Sequence, residues 1–355
     1  MNTKQISPNI PAKSKVFVGL SGGVDSAVSA ALLKSQGFKV VGVFIKAWQP
    51  EWLPCTWREE RRDAMKACLT LGIPFLFFDF EKEYKQGVVD RMLLEYKAGR
   101  TPNPDVLCNK EIKFGIFWQR AKALGADYIA TGHYLSGEKD QSYFLWTLTR
   151  DDFSHTLFPV GYMEKSEVRK LAKKYNLSVA EKKDSQGICF LGDVSMGEFL
   201  SHYIKDSPGR IFNTEGEVIG KHKGLIYYTI GKRHGFDVNK KLPESGPFYI
   251  VAKDIKTNSL LVSDKESEIL EFSPTKIKLK DINWIREPRE EVIAQIRYRG
   301  EKMPVKVSND IVEFGNPVQG LSLGQSIVFY SSAEASAKEG DICLGGAVMD
   351  KVVAL

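Results

Sequence analysis

Apolar residues follow two rhythms along this chain. Between positions 15 and 131, short β-branched or aromatic runs alternate with stretches in which apolar residues return every three or four positions. Val16–Leu20, Val40–Ile45, Phe75–Phe80 and Tyr128–Thr131 read as buried strands. Asp25–Gln36, Arg58–Thr70, Glu83–Lys97 and Asn109–Leu124 read as helices, three of them stopped by Gly37, Gly72 and Gly125. Strands alternating with helices predict an α/β fold with a doubly wound parallel sheet. After about Phe190 the runs shorten and alternate, as in Leu225–Ile230, Phe248–Val251 and Ser259–Val262. A further series (Lys276–Leu279, Val292–Tyr298, Val305–Val307, Ile311–Phe314 and Ser326–Tyr330) suggests a small C-terminal antiparallel β-barrel. The expected division is a catalytic domain over 1–195, a small β-rich domain over 196–272 and the barrel over 273–355.

Length and composition fit that division. The chain has 355 residues, 43% hydrophobic and 26% charged, the usage of a globular protein with two or three domains. No stretch approaches the ~20 apolar residues that span a bilayer. The N-terminal segment to Ser14 has neither an apolar core nor an arginine, so a cytoplasmic protein is expected. Fifty Lys and Arg against 44 Asp and Glu give +6, which permits a polyanionic partner without requiring one. Five cysteines without a C-x-x-C pair, and five histidines without ligand spacing, argue against a disulfide framework and a protein-built metal cluster. A cysteine with a function here is better read as a reactive thiol.

The segment Gly19-Leu20-Ser21-Gly22-Gly23-Val24-Asp25-Ser26 lies between the first strand and the first helix. Ligands of open parallel sheets sit there, because a helix N-terminus offers unpaired N–H groups to anions. The glycines let backbone approach phosphate oxygens, Ser21 and Ser26 add donors, and Asp25 is placed to help hold magnesium on the phosphates. A Gly-Gly turn with Asp25 or Ser26 as N-cap is the structural alternative. Neither a Walker loop nor a dinucleotide fingerprint is present. The octamer resembles the PP-loop of ATP pyrophosphatases, which split ATP between its α and β phosphates and place AMP on a substrate oxygen.

Two thiols stand out. Asn103-Pro104-Asp105 precedes Cys108, with Asp105 read as a helix N-cap and Cys108 one turn inside, where the helix end, Lys110 and Lys113 favour thiolate. Asp105 is then a candidate for proton transfer; a capping Asp beside an inert buried Cys is the alternative. Cys189 lies in a glycine-punctuated basic loop, where a thiol can carry a transferable sulfur as a persulfide.

Together these segments resemble the tRNA-specific 2-thiouridylase (MnmA/TrmU) family over about residues 15–348. The resemblance rests on SGGVDS (Ser21–Ser26), YKAGRTPNPD (Tyr96–Asp105), LCNKEIKF (Leu107–Phe114), ATGHY (Ala130–Tyr134), KDQSYFL (Lys139–Leu145), DSQGICF (Asp184–Phe190) and CLGG (Cys343–Gly346). It implies an adenine nucleotide alpha hydrolase-like fold and an ATP site from Gly19, Leu20, Ser21, Gly22, Gly23, Val24, Asp25 and Ser26 with Ile45 and Gly132. Cys108 matches the family's nucleophile, Cys189 its persulfide carrier and Asp105 its acid/base. Asn103, Pro104 and Asp105 match the segment that meets the target base. His133, Lys139, Asp140, Gln141, Arg297, Tyr298 and Gln325 match positions that touch tRNA. Two departures are the short connection Leu135–Glu138, where the family has a longer one, and Lys232 and Phe236, where Gln and Leu are more usual.

The basic segments fit an RNA partner. Residues 273–306 hold nine Lys and Arg against five acidic residues, and residues 165–183 hold seven Lys and Arg. In Arg297-Tyr298-Arg299 the guanidinium groups suit phosphates and the phenol ring suits a base. The implied reaction is 2-thiolation of the wobble uridine in tRNAs of the Lys, Glu and Gln type. MgATP adenylates the C2 oxygen, and sulfur then arrives from Cys189, either directly or as sulfide released by Cys108. A Cys108–Cys189 disulfide remains, and a sulfur-relay protein or cysteine desulfurase reloads the carrier. Rival readings are an amide or guanine ligase of the same superfamily, which leaves Cys189 idle, and a non-catalytic RNA-binding protein, which leaves the Gly19–Ser26 loop idle.

Overall fold

Burial of both faces decides the first sheet. The computed structural model describes residues 10–11, 13–54, 57–183, 194–238, 246–331 and 342–355. They fall into two units: those within Met1–Val89 and Pro104–Asp193, and those within Asp90–Asn103, Val194–Ala335 and Ile342–Leu355. In the first unit, β1 (Lys15–Leu20), β2 (Lys39–Lys46), β3 (Phe75–Asp79), β4 (Tyr128–Ala130) and β5 (Thr156–Leu157) form a sheet in the order β3-β2-β1-β4-β5. Every pairing is parallel. Val16, Val18, Val28 and Leu33 are fully buried in its core, so β1 reads as a near-continuous apolar run, and the helix after it, α1 (Val24–Ser35), packs Val28 and Leu33 into the same core. Chain order reverses between β1 and β4, and the loops leaving these two strands flank the switch point.

The expected helices are present with one difference in kind. α2 (Trp57–Leu71) matches its reading, whereas the helical runs over 81–97 and 104–123 each contain π-helical turns, at Lys85–Asp90 and Cys108–Ile116. In the second, the Phe117 N–H reaches back five residues to the Ile112 carbonyl. A Cβ on Gly115 would lie 2.7 Å from the Lys110 carbonyl, so the widened turn needs glycine there.

The second unit contains a five-stranded sheet and a closed barrel. The sheet has β6 (Gly209–Phe212), β7 (Val218–His222), β8 (Asp237–Val238), β9 (Tyr249–Asp254) and β10 (Ser259–Ser263) in the order β8-β7-β6-β10-β9. Leu225–Ile230, expected as a strand, instead begins as a 3₁₀ turn over Leu225–Tyr227, with Leu225 and Tyr228 turned into the core. Its apolar run is satisfied by burial without a strand partner. The barrel runs β11 (Lys276–Trp284), β14 (Ile311–Phe314), β13 (Lys302–Ser308), β12 (Glu291–Gln295), β15 (Ser326–Tyr330) and β16 (Cys343–Ala354). β16, which the alternation did not reveal, closes it against β11 and β15. The architecture is therefore the expected one: a parallel α/β domain, a β-rich middle segment and a C-terminal antiparallel barrel. No helix among the described residues is long and apolar enough to cross a membrane.

Candidate active site

The loop after β1 is shaped by backbone crowding. Gly22 has φ +73°, and a Cβ there would lie 2.5 Å from the Glu60 carbonyl oxygen on α2. Gly23 holds the N-cap position of α1 with no capping side chain, so the first N–H groups of the helix face the loop. Ser26 folds back over the loop: its Oγ accepts from the Ser21 N–H at 3.2 Å and lies 3.3 Å from Ser21 Oγ. Gly132, just beyond β4, packs so closely that a Cβ would approach the Ser26 nitrogen to 2.7 Å. Ile45 sits near the carboxyl end of β2. Thus the switch point carries a cradle of N–H and hydroxyl donors suited to an anion.

Three side chains that the sequence did not single out secure this cradle. Lys165 Nζ donates to both Asp25 oxygens, at 2.7 and 2.8 Å, and the Tyr134 hydroxyl donates to Asp25 Oδ1 at 2.7 Å. Lys182 Nζ bridges the Gly22 carbonyl at 3.0 Å and Asp63 Oδ2 at 2.7 Å. Asp25 was expected to help hold magnesium, but its carboxylate is committed to a cation and a phenol and does not fit that part here. Among the described residues no cluster of His, Cys, Asp and Glu could hold a metal. We expect Lys165→Met to cost about 1–3 kcal/mol by stranding a half-buried carboxylate, and Asp25→Asn in the same chain to restore part of it. Urea unfolding of the two variants checks both.

The thiol site lies on the helical run that starts at Pro104. Asp105, expected as the N-cap, is instead the second residue of the helix, in a first turn where a carboxylate still complements the helix end. Cys108 follows at the first π-helical turn and is 3% exposed. Burial pushes its thiol up; Lys113 pulls the other way, Asp105 adds to the rise, and the Tyr84 hydroxyl hydrogen-bonds the sulfur in the lowering sense. The expected low thiol pKa is therefore not what the folded chain has, because desolvation outweighs the helix end and the lysines. Burial also raises Asp105, with Lys113 opposing. A carboxyl whose affinity for a proton is raised by burial suits an acid/base role. Cys68, Cys108 and Cys343 are free thiols. Cys189 lies outside the described residues, and so does any pairing it makes with Cys108.

One run of contacts links the thiol helix to the anion cradle. Gly132 packs on Ser26, and the next residue, His133, lies 5.6 Å from the Phe114 ring of the helix carrying Cys108. The Lys113 charge acts on both His133 and Cys108. Gly19 adds a second link, since a Cβ there would meet Phe117 at 3.5 Å.

Comparison with known proteins places this arrangement. Family models match residues 14–193 (tRNA methyl transferase HUP domain), 197–264 (tRNA methyl transferase PRC-barrel domain) and 274–349 (aminomethyltransferase beta-barrel domain). The tRNA-specific 2-thiouridylase MnmA of Geobacillus thermodenitrificans is 42% identical, covering 96% of each chain. That of Listeria monocytogenes serovar 1/2a is 43% identical over 95% of each. The chain belongs to the tRNA-specific 2-thiouridylase MnmA family. Among solved structures, a 4-thiouridine synthetase in an RNA complex with bound ATP matches 49% of this chain and 43% of its own, at 21% identity and TM-score 0.37.

Several of the tRNA positions expected for a 2-thiouridylase already have partners within the chain. His133 is 8% exposed, with Nδ1 paired to Thr131 Oγ1 at 2.8 Å, and burial keeps its ring neutral, so it belongs to the packing under the site. Asp140 Oδ1 accepts from the Ser142 N–H and Gln141 Oε1 from the Tyr134 N–H, which closes the short Leu135–Glu138 connection into a tight turn beside Lys139. Arg297 is exposed, yet its guanidinium donates to the Ile230 and Gly320 carbonyls. Arg299 stacks over the Tyr298 ring at 5.2 Å. Gln325 Nε2, expected to meet RNA, donates to the Thr101 and Pro102 carbonyls. The basic run over 165–183 is also largely engaged: Lys165 and Lys182 serve the loop, Arg169 holds the Ala180 and Lys182 carbonyls, and Lys173 pairs with Glu181. On the barrel, Lys276, Lys278 and Lys306 pair with Glu313, Asp310 and Glu291 through exposed bridges, which exchange readily for phosphate.

Proposed function

We propose that this protein catalyses ATP-dependent 2-thiolation of the wobble uridine in tRNAs of the Lys, Glu and Gln type. The observation that carries this reading is the contact run from the Gly19–Ser26 cradle through Gly132 and His133 to the helix bearing Asp105 and Cys108. Membership in the thiouridylase family supports it. ATP, entering as its magnesium complex, lays its phosphates on the α1 N-terminus, with Ile45 and Gly132 beside the nucleoside. Asn103, Pro104 and Asp105 receive the extruded uridine, whose C2 oxygen attacks the α-phosphate as pyrophosphate leaves. Asp105, with its raised pKa, holds or returns the proton that moves on the base.

Sulfur then replaces the adenylated oxygen. The terminal persulfide sulfur on Cys189 bonds to C2, and the C2–O bond breaks to release AMP. Cys108 attacks the Cys189 sulfur, leaving 2-thiouridine and a Cys108–Cys189 disulfide; in the alternative order Cys108 first frees sulfide, which attacks C2. A thiol reductant resets the pair, and a sulfur-relay protein or cysteine desulfurase reloads Cys189. We assign nucleotide chemistry to residues 1–195, with Lys139 adding a tRNA contact there, and the other tRNA contacts to 196–272 and 273–355, Arg297 and Tyr298 among them.

Incubation with tRNA, MgATP and a persulfide donor tests the proposal. 2-Thiouridine and AMP are expected in equal amounts. AMP without sulfur incorporation, from folded protein that binds tRNA, would count against it. Asp105→Asn supplies a further check: product formation should fall about 10²-fold or more, while the folded chain at pH 8 should melt no lower than the parent. The sign follows from burial. A carboxyl whose folded pKa is raised adds stability only while protonated and loses it as pH rises, so any advantage of Asn is present at pH 8 and fades as the carboxyl protonates on acidification. Melting curves at pH 8 and pH 5 read it.

A further inference from the structure

The second unit holds a short strap, Gly99–Pro102, with more anchors than an irregular segment of this length ordinarily has. The Gly99 carbonyl accepts from Lys253 Nζ at 3.0 Å, and the same ammonium holds the Tyr228 carbonyl at 3.0 Å. The Thr101 N–H donates to the Leu323 carbonyl at 2.9 Å. Gln325 Nε2 reaches the Thr101 carbonyl at 2.8 Å and the Pro102 carbonyl at 3.3 Å. Arg100 makes a two-point pair with Glu95 at 2.5 and 2.7 Å, and Lys280 of β11 stands 3.8 Å from the same carboxylate. The backbone at Gly324 lies so close that a Cβ there would come within 2.9 Å of Arg100 Cβ. Side chains from β9 and from the barrel thus tie down successive peptide groups of a segment that belongs to no strand or helix of its own.

Loops are usually solvated, and their carbonyls are satisfied by water. Here the carbonyls of Gly99, Thr101 and Pro102 are held by two side chains, and the covalent chain continues directly into Asn103, Pro104 and Asp105. We infer that Lys253 and Gln325 are positioning residues: they clamp the strap and so set the pose of the segment that receives the target uridine. The inference rests on the function proposed above. It gives Gln325 a part played through the strap in place of the expected RNA contact. A clamp of this kind acts on the step in which the base is held for reaction, leaving the overall affinity for tRNA to the charged surfaces.

Gln325→Glu tests it with little change of shape, because a carboxylate cannot donate to the two carbonyls. Hydrogen exchange, single-turnover thiolation at saturating tRNA and the tRNA dissociation constant are measured on the full chain. Exchange in a peptide covering residues 96–107 should rise on the order of tenfold, the loss of about one hydrogen bond's worth of protection, while peptides from β13 and β14 stay unchanged. The saturating rate should fall about tenfold, with the dissociation constant within about twofold. Lys253→Met should show the same split and Lys253→Arg should recover most of the rate. A raised dissociation constant with an unchanged saturating rate would make Gln325 an RNA contact and overturn the inference. Unchanged exchange in both variants would overturn it as well. Should the parent protein itself make no 2-thiouridine, the proposed function falls, while the exchange measurement still decides whether the clamp exists.

Discussion

Replacing Cys108 by serine is expected to lower the single-turnover yield of 2-thiouridine by about 10³-fold or more, because the hydroxyl neither attacks a persulfide nor leaves as a disulfide partner. Pyrophosphate release should persist, since adenylation of the base does not use the thiol. Its surroundings are buried, so the substitution should cost no more than about 1–2 kcal/mol. The pH dependence discriminates further. Burial holds the thiol up and Lys113 draws it down, so the thiolate fraction and the rate should climb with pH through the alkaline range. Lys113→Met removes the lowering influence, raises the thiol pKa and should move that climb to higher pH. A thiolation rate that ignores both substitutions would remove Cys108 from the chemistry.

Gly22→Ala should be the most damaging single methyl group that can be added to the nucleotide cradle. It forces a side chain onto a backbone at φ +73° and pushes a carbon to 2.5 Å from the Glu60 carbonyl. Strain and overlap together predict a loss of about 2–5 kcal/mol in urea unfolding. ATP binding, read by calorimetry, should weaken by about tenfold or more, because the loop and α2 must separate to admit the methyl group. Gly37→Ala is the control: its glycine also has positive φ, but no atom lies within 4 Å of the added carbon, so it should show the strain without the loss of nucleotide. Equal nucleotide affinity in both variants would mean that the cradle is not the phosphate site.

Much of this was legible in the residues themselves. The strand runs at Val16 and Val40 are apolar at every position because both faces of a parallel sheet are covered, and that pattern cannot be mistaken for an exposed surface. The SGGVDS segment is equally direct, since glycine at a positive φ beside a helix start serves few purposes other than close approach. Less legible was β16, whose Gly345-Gly346 and mixed polarity hide a strand that only its partners β11 and β15 define. The apolar run at Leu225 misled in the opposite direction, because burial alone satisfies it.

The sequence by itself determined the order of strands and helices in the parallel domain, the Gly19–Ser26 loop between β1 and α1, and the identity of the thiol and carboxyl groups, because each depends on local periodicity or on residue types in consecutive positions. Only the tertiary structure decided their electrostatic state and partners. Cys108 became a raised thiol through burial, Asp25 was committed to Lys165 across 140 positions, and Gln325 was committed to a strap 224 positions away. Neither the dielectric around a group nor contacts of such separation can be read from spacing, since both arise only when packing removes water and brings remote segments together.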